Sequence, residues 1–156
     1  MADYGPSKKW MHIVHQERDA WQKGQGANRL YTYRKDTGLG GGDWCSVFVN
    51  WVMRQVGYGG TGSAMAESWT RWGTRLHGPQ KGAICVLDDG IMDDPKYPNN
   101  PYFHVTFLEH HLGSAENCVG GNQSGMVNYS MFGLHTGERI VKHHVQRVVY
   151  VWPPRS

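Results

Sequence analysis

The sequence predicts an α+β fold, and three observations carry that expectation. Apolar residues recur at helical spacing through the first half of the 156-residue chain. Short alternating or β-branched runs fill the second half. The helices precede the strands, without the βαβ alternation that builds a parallel sheet. The length fits a single domain, residues 1–156 with a core over about 10–152, long enough to bury a real interior.

Residues 10–24 read as a helix, with Trp10, Ile13, Val14, Ala20 and Trp21 on an apolar stripe and Gly24 and Gly26 ending it. Residues 25–42 are expected to be irregular, closing in Gly38-Leu39-Gly40-Gly41-Gly42. A phosphate-binding loop would need a Lys-Ser/Thr ending and a preceding strand, and both are missing. Asp43 is placed to cap the next helix. That helix, Cys45 to Val56, is strongly apolar and predicted to be central and mostly buried; its valines also suit a strand, but length and flanks favour a helix. A loop over 58–63 and a short helix over 64–73 follow. Strands are expected at 83–87, 103–108, 117–121, 127–131 and 147–152, with a long acidic, proline-rich loop over 88–102.

Composition excludes several functions. Net charge is +3 with no Lys/Arg run longer than two, so there is no nucleic-acid stripe, although a mild positive balance suits an anionic polymer such as the bacterial wall. Three cysteines, an odd number with no CxxC pair, argue against a disulfide framework and a cysteine zinc site. The N-terminus lacks the apolar run of a signal peptide, and no stretch reaches the length of a membrane span. The chain is expected to be made in the cytoplasm and carried elsewhere by other means. Seven Trp and eight Tyr suit a packed core, and also a groove for an extended polymer.

Cysteine hydrolysis needs a thiolate, a base and a group to orient the base. Cys45 follows a glycine loop and opens a helix, where unpaired N–H groups and the dipole lower a thiol pKa and can hold an oxyanion. Cys85 and Cys118 sit in apolar strands and are expected to be inert, with a mutual disulfide as the alternative. His104 lies in the strand FHVTFL and faces away from Phe103, Val105 and Phe107, as a base or as a satisfied surface histidine. His110-His111 and His143-His144 are poor metal pairs because adjacent side chains point apart, and no HExxH occurs; neither metal nor cofactor is expected. Asn122 is the first choice to orient His104 and Gln123 the second; a plain Gly-Asn turn is the alternative.

These residues resemble a family. Trp44-Cys45-Ser46-Val47-Phe48-Val49-Asn50-Trp51 is similar to the WCAxFVNW motif of small bacterial and phage peptidoglycan hydrolases, close to the CHAP and NlpC/P60 groups of papain-like enzymes. Residues 66–73 resemble the family's AxSWxxWG element, Gly82-Ala83-Ile84 with His104-Val105 its GAI…HVGF strands, and residues 120–123 its GGNQ. The motifs keep the family order over roughly residues 10–152. The resemblance implies a papain-like fold, its nucleophile at the start of a central helix packed on an antiparallel sheet. It implies Cys45 as nucleophile, His104 as base and Asn122 as third member. Phe103 stands where the family usually has glycine, and the 88–102 loop is long for it.

The expected function is a peptidoglycan amidase or endopeptidase, monomeric, serving as a phage lysin or an exported antibacterial toxin. It would act in the periplasm or at the cell wall, and a toxin would add a secretion apparatus and an immunity protein as partners. Trp44, Trp69 and Gln123 are expected to line the substrate groove, with core packing the alternative for the tryptophans. A catalytically inactive wall-binding or phage structural module of the same fold is the competing expectation.

Overall fold

The computed structural model describes residues 5–40, 42–88, 103–134, 144–145 and 147–154. Residues 89–102 of the loop expected over 88–102, and His143, lie outside the described residues, while Asp88 ends a strand. After one 3-10 turn at Gly5–Ser7, helix α1 spans Lys8–Gln22 and buries Trp10, Met11, Val14 and Glu17 on one face. The Trp10 indole N–H donates to the Gly82 carbonyl at 2.8 Å, which pins α1 to the sheet.

A second helix, α2 (Gly26–Thr37), occupies most of the stretch expected to be irregular. It buries only Gly26 and Tyr33, so its polar sequence carries almost no helical stripe. Tertiary contacts hold it. Arg29 grips buried Glu17 with two bonds, at 2.7 and 3.1 Å, and the Tyr33 hydroxyl donates to the same carboxylate. Burial, then that carboxylate, push the Tyr33 hydroxyl well above its ordinary pKa, so it stays a donor. Gly26 is required for packing: a Cβ there would lie 2.3 Å from the Trp21 ring.

Helix α3 (Cys45–Gln55) is the predicted central helix, and every residue from Cys45 to Met53 is buried. Its register is locked by buried polar bonds. The Trp69 indole donates to Ser46 Oγ at 2.8 Å, Ser46 Oγ donates to the Ser63 carbonyl at 2.7 Å, and Asn50 Oδ1 accepts the Gly62 N–H at 2.9 Å. The short helix expected over 64–73 is a 3-10 helix, Ala66–Arg71.

Among the described residues seven strands form one sheet: β1 (Thr74–Arg75), β2 (Ile84–Asp88), β3 (Phe103–His111), β4 (Ala115–Gln123), β5 (Met126–Leu134), β6 (His144–Val145) and β7 (Arg147–Trp152). Their order is β1-β7-β2-β3-β4-β5-β6. All pairs are antiparallel except β5–β6, which is parallel. The chain is thus α+β, helices against a largely antiparallel sheet. β1 and β6, two residues each, were too short to read from sequence.

The sheet has two unlike faces. Ile84, Val86, Val105, Phe107, Val119, Val149 and Val151 join the helices in the main core. Cys85, Leu87, Leu108 and Cys118 form a second cluster with Phe132, Leu134, Val148 and Tyr150. On this second face the Tyr150 hydroxyl donates to fully buried Glu116 at 2.8 Å, across β2 and β3. Three strand spacings would be about 14 Å in a flat sheet, more than the two side chains span, so the sheet curls around this face. His111 closes the other side of the Glu116 carboxylate.

All three cysteines are free and buried. Cys85 and Cys118 flank β3 from either side and meet in the second cluster as free thiols, where burial and then the bond to Cys118 hold the Cys85 thiol well above its ordinary pKa. Among the described residues, no helix is long and apolar enough to cross a membrane.

Helix propensity alone predicts that Gly26→Ala stabilises the protein, whereas contact with Trp21 predicts the reverse. We expect the contact to win, lowering unfolding free energy by about 1–3 kcal/mol in urea titration.

Candidate active site

Cys45 is the first residue of α3, and Trp44 is its N-cap with no side-chain capping bond. Asp43 does not cap the helix as expected; its Oδ1 accepts instead from Asn122 Nδ2 at 3.3 Å. The first intrahelical bond is Phe48 N–H to the Trp44 carbonyl at 3.0 Å, so the N–H groups of Cys45, Ser46 and Val47 precede the helical ladder. Trp44 holds this end in place. Its indole stacks on Trp21 at 5.1 Å and 11° and meets Tyr33 at 6.2 Å. Gly121 on β4 lets the helix approach, since a Cβ there would stand 2.8 Å from both Phe48 Cβ and the Trp44 ring.

The sheet opens where α3 arrives. Leu108 exchanges backbone bonds with Gly82 and Ala83, both 2.8 Å, so even-numbered residues of this part of β3 turn their backbone groups toward β2. Odd-numbered ones turn toward β4. The β3–β4 ladder stops at Phe107↔Val119, and β4 shifts register between Gly120 and Gln123. The Val105 N–H is left without a strand partner, and the Cys45 sulfur takes it. The thiol therefore sits where β4 leaves β3, on the helix-packed face of the sheet, and no hydrogen bond joins it to His104 among the described residues.

His104 lies on the second face, as its parity predicted, with its ring 5.5 Å from Phe132. Its partner is Gln123, not Asn122: Nε2 of the ring and Gln123 Oε1 are 3.0 Å apart. The reason is a bulge. Asn122 adopts a left-handed φ of 57°, which breaks the alternation of β4 and brings Gln123 onto the face of His104. Asn122 is turned toward Asp43 at the surface.

The Gln123 amide has one possible orientation. Its nitrogen donates to two carbonyls, Cys118 at 3.2 Å and Asn128 at 2.7 Å, which can only accept. Its oxygen therefore faces His104 and also accepts the Thr106 hydroxyl at 2.6 Å. An acceptor opposite Nε2 requires Nε2–H, leaving Nδ1 as the basic nitrogen of neutral His104.

Burial sets the protonation states. Cys45 and His104 are each 5 % exposed. Desolvation raises the Cys45 thiol above its ordinary pKa, and nearby Asp43 adds to the rise. The N–H groups of Val105, Ser46 and Cys45 oppose it without cancelling it. The thiolate expected at a helix start is thus not the resting form. Desolvation likewise lowers the His104 pKa, against the smaller opposing effects of Gln123 and Asp43. The pair rests as neutral thiol and neutral imidazole.

The two tryptophans expected in a groove are core residues. Trp69 is wholly buried and Trp44 is 6 % exposed. Gln123, 3 % exposed, serves the histidine and presents no surface to a ligand. An open cavity of about 360 Å³ lies at the β1–β7 edge, lined by Arg75, Leu76, His77 and the Val148–Tyr150 segment, and touches none of the site residues. No group of three or more metal-ligating side chains occurs among the described residues. Thr106 is the site residue that sequence reasoning passed over, although it shares the parity of His104.

A depressed folded-state pKa for His104 has a defined linkage. Between that value and the unfolded value of about 6.5, the unfolded chain binds more protons, so this contribution is full above 6.5 and is lost as pH falls through the folded pKa. The stability difference between wild type and His104→Gln should narrow on acidification through that window, read by thermal melts. Compared with protein-family models, curated proteins and solved structures, the chain matches none.

Proposed function

We propose that the chain is a cysteine-dependent amidase or endopeptidase of papain-like type that cuts peptide or amide bonds in bacterial peptidoglycan. One observation carries the reading: Cys45 opens an uncapped helix with its sulfur on the N–H of the residue after His104, and the far nitrogen of that histidine is held by Gln123. The motifs shared with the small wall hydrolases supply the substrate class.

In this reading, opening of the site brings the Cys45 thiol to Nδ1 of His104, which takes the thiol proton as Cys45 attacks the scissile carbonyl. The Cys45 and Ser46 N–H groups stabilise the oxyanion. The imidazolium, held at Nε2–H by Gln123, protonates the leaving amine from Nδ1. Water, deprotonated at the same nitrogen, releases the acyl group and restores the thiol. Attack on a polymer requires the cover over both side chains to open, and substrate binding is assigned that task.

The competing reading, a wall-binding module without catalysis, is favoured by one specific observation: both reactive groups are covered and neutral. Purified sacculi separate the two. The enzyme releases soluble fragments whose new termini mass spectrometry identifies, whereas the module binds and releases nothing. Cys45→Ala and His104→Ala should each lower fragment release by at least about a thousandfold while melting as cooperatively as wild type. Full activity in Cys45→Ala would remove the mechanism.

A further inference from the structure

We propose that Thr106 is a positioning residue for His104, acting through the Gln123 oxygen; this rests on the reading of Cys45 and His104 as nucleophile and base. Thr106 and His104 project from the same face of β3, and both reach Gln123 Oε1, at 2.6 and 3.0 Å. The amide nitrogen is already committed to two carbonyls. The hydroxyl therefore completes a fully bonded amide whose oxygen cannot swing away from the imidazole. β4 is shaped to admit it: a Cβ at Gly120 would lie 2.3 Å from Thr106 Oγ1 and 3.2 Å from Gln123 Oε1. A threonine hydroxyl buried at 0 % exposure is costly unless bonded, and this bond satisfies it.

The hydroxyl also tunes the base. It draws on the same oxygen that stabilises the imidazolium through Nε2–H, so it weakens that stabilisation and favours neutral His104. The charged group that acts on the ring among the described residues is Asp43, ahead of α3. Gln123 on β4, Thr106 on β3, Phe132 on β5 and Leu87 on β2 are uncharged.

The test is fragment release from sacculi by the full chain across pH, comparing wild type, Thr106→Val and Thr106→Ser. Thr106→Val should lower the plateau rate on the order of tenfold and move the acid limb to higher pH, while Thr106→Ser restores both. An unchanged plateau and acid limb in a folded Thr106→Val protein would overturn the proposal. Imidazole ¹⁵N spectra of the wild type give a second measurement that needs no variant. They should show the Nε2–H tautomer at His104, and an Nδ1–H tautomer also overturns the proposal. If Cys45→Ala retains activity, the catalytic reading itself fails. If Cys45→Ala is inactive and Thr106→Val matches wild type, only the role of Thr106 fails.

Discussion

The structure around the candidate site depends on one interruption of a hydrogen-bond ladder. β4 pairs with β3 as far as Val119 and then leaves it, so the Val105 N–H has no strand acceptor. A buried unpaired N–H costs roughly 1–3 kcal/mol, and the sulfur of Cys45 relieves part of that cost. The helix start and the strand gap thus require each other. Two glycines make the fit possible from opposite faces of β4: Gly121 admits Trp44 and Phe48, and Gly120 admits Thr106.

The same departure organises the polar side of the site. A two-residue turn at Ser124–Gly125, both at positive φ, returns β4 into β5 and brings the Asn128 carbonyl to the Gln123 amide. Together with the Cys118 carbonyl it fixes which end of that amide faces His104. Tautomer, ring position and acceptor then follow from backbone geometry. A glutamine held this way orients an imidazole without adding a charge, which suits a base that must stay neutral in a desolvated setting.

Much of this was legible in the sequence, and the exceptions have identifiable causes. The glycine run ahead of CSVFVNW marked a helix start at Cys45, and alternation in FHVTFL gave the facing of His104. Strict alternation along β4 would have turned Asn122 toward His104. A single left-handed residue inverts that order, and nothing in GGNQ distinguishes a bulged strand from a straight one. Helix α2 was missed because its stability comes from Glu17, 12 and 16 residues upstream of its partners Arg29 and Tyr33, rather than from its own periodicity. The low thiol pKa expected from the helix start is overturned because that helix start is desolvated, and desolvation is the larger effect.

The desolvated thiol has a chemical consequence outside hydrolysis. Peroxides and disulfides react with the thiolate, and a protonated sulfur screened from solvent offers them little of it. Nucleophilic cysteines on open surfaces are readily lost to sulfenic acid or mixed disulfides. Here the two remaining thiols are also free and shut inside the sheet. The fold therefore keeps the sulfur chemistry of Cys45 latent until something uncovers it.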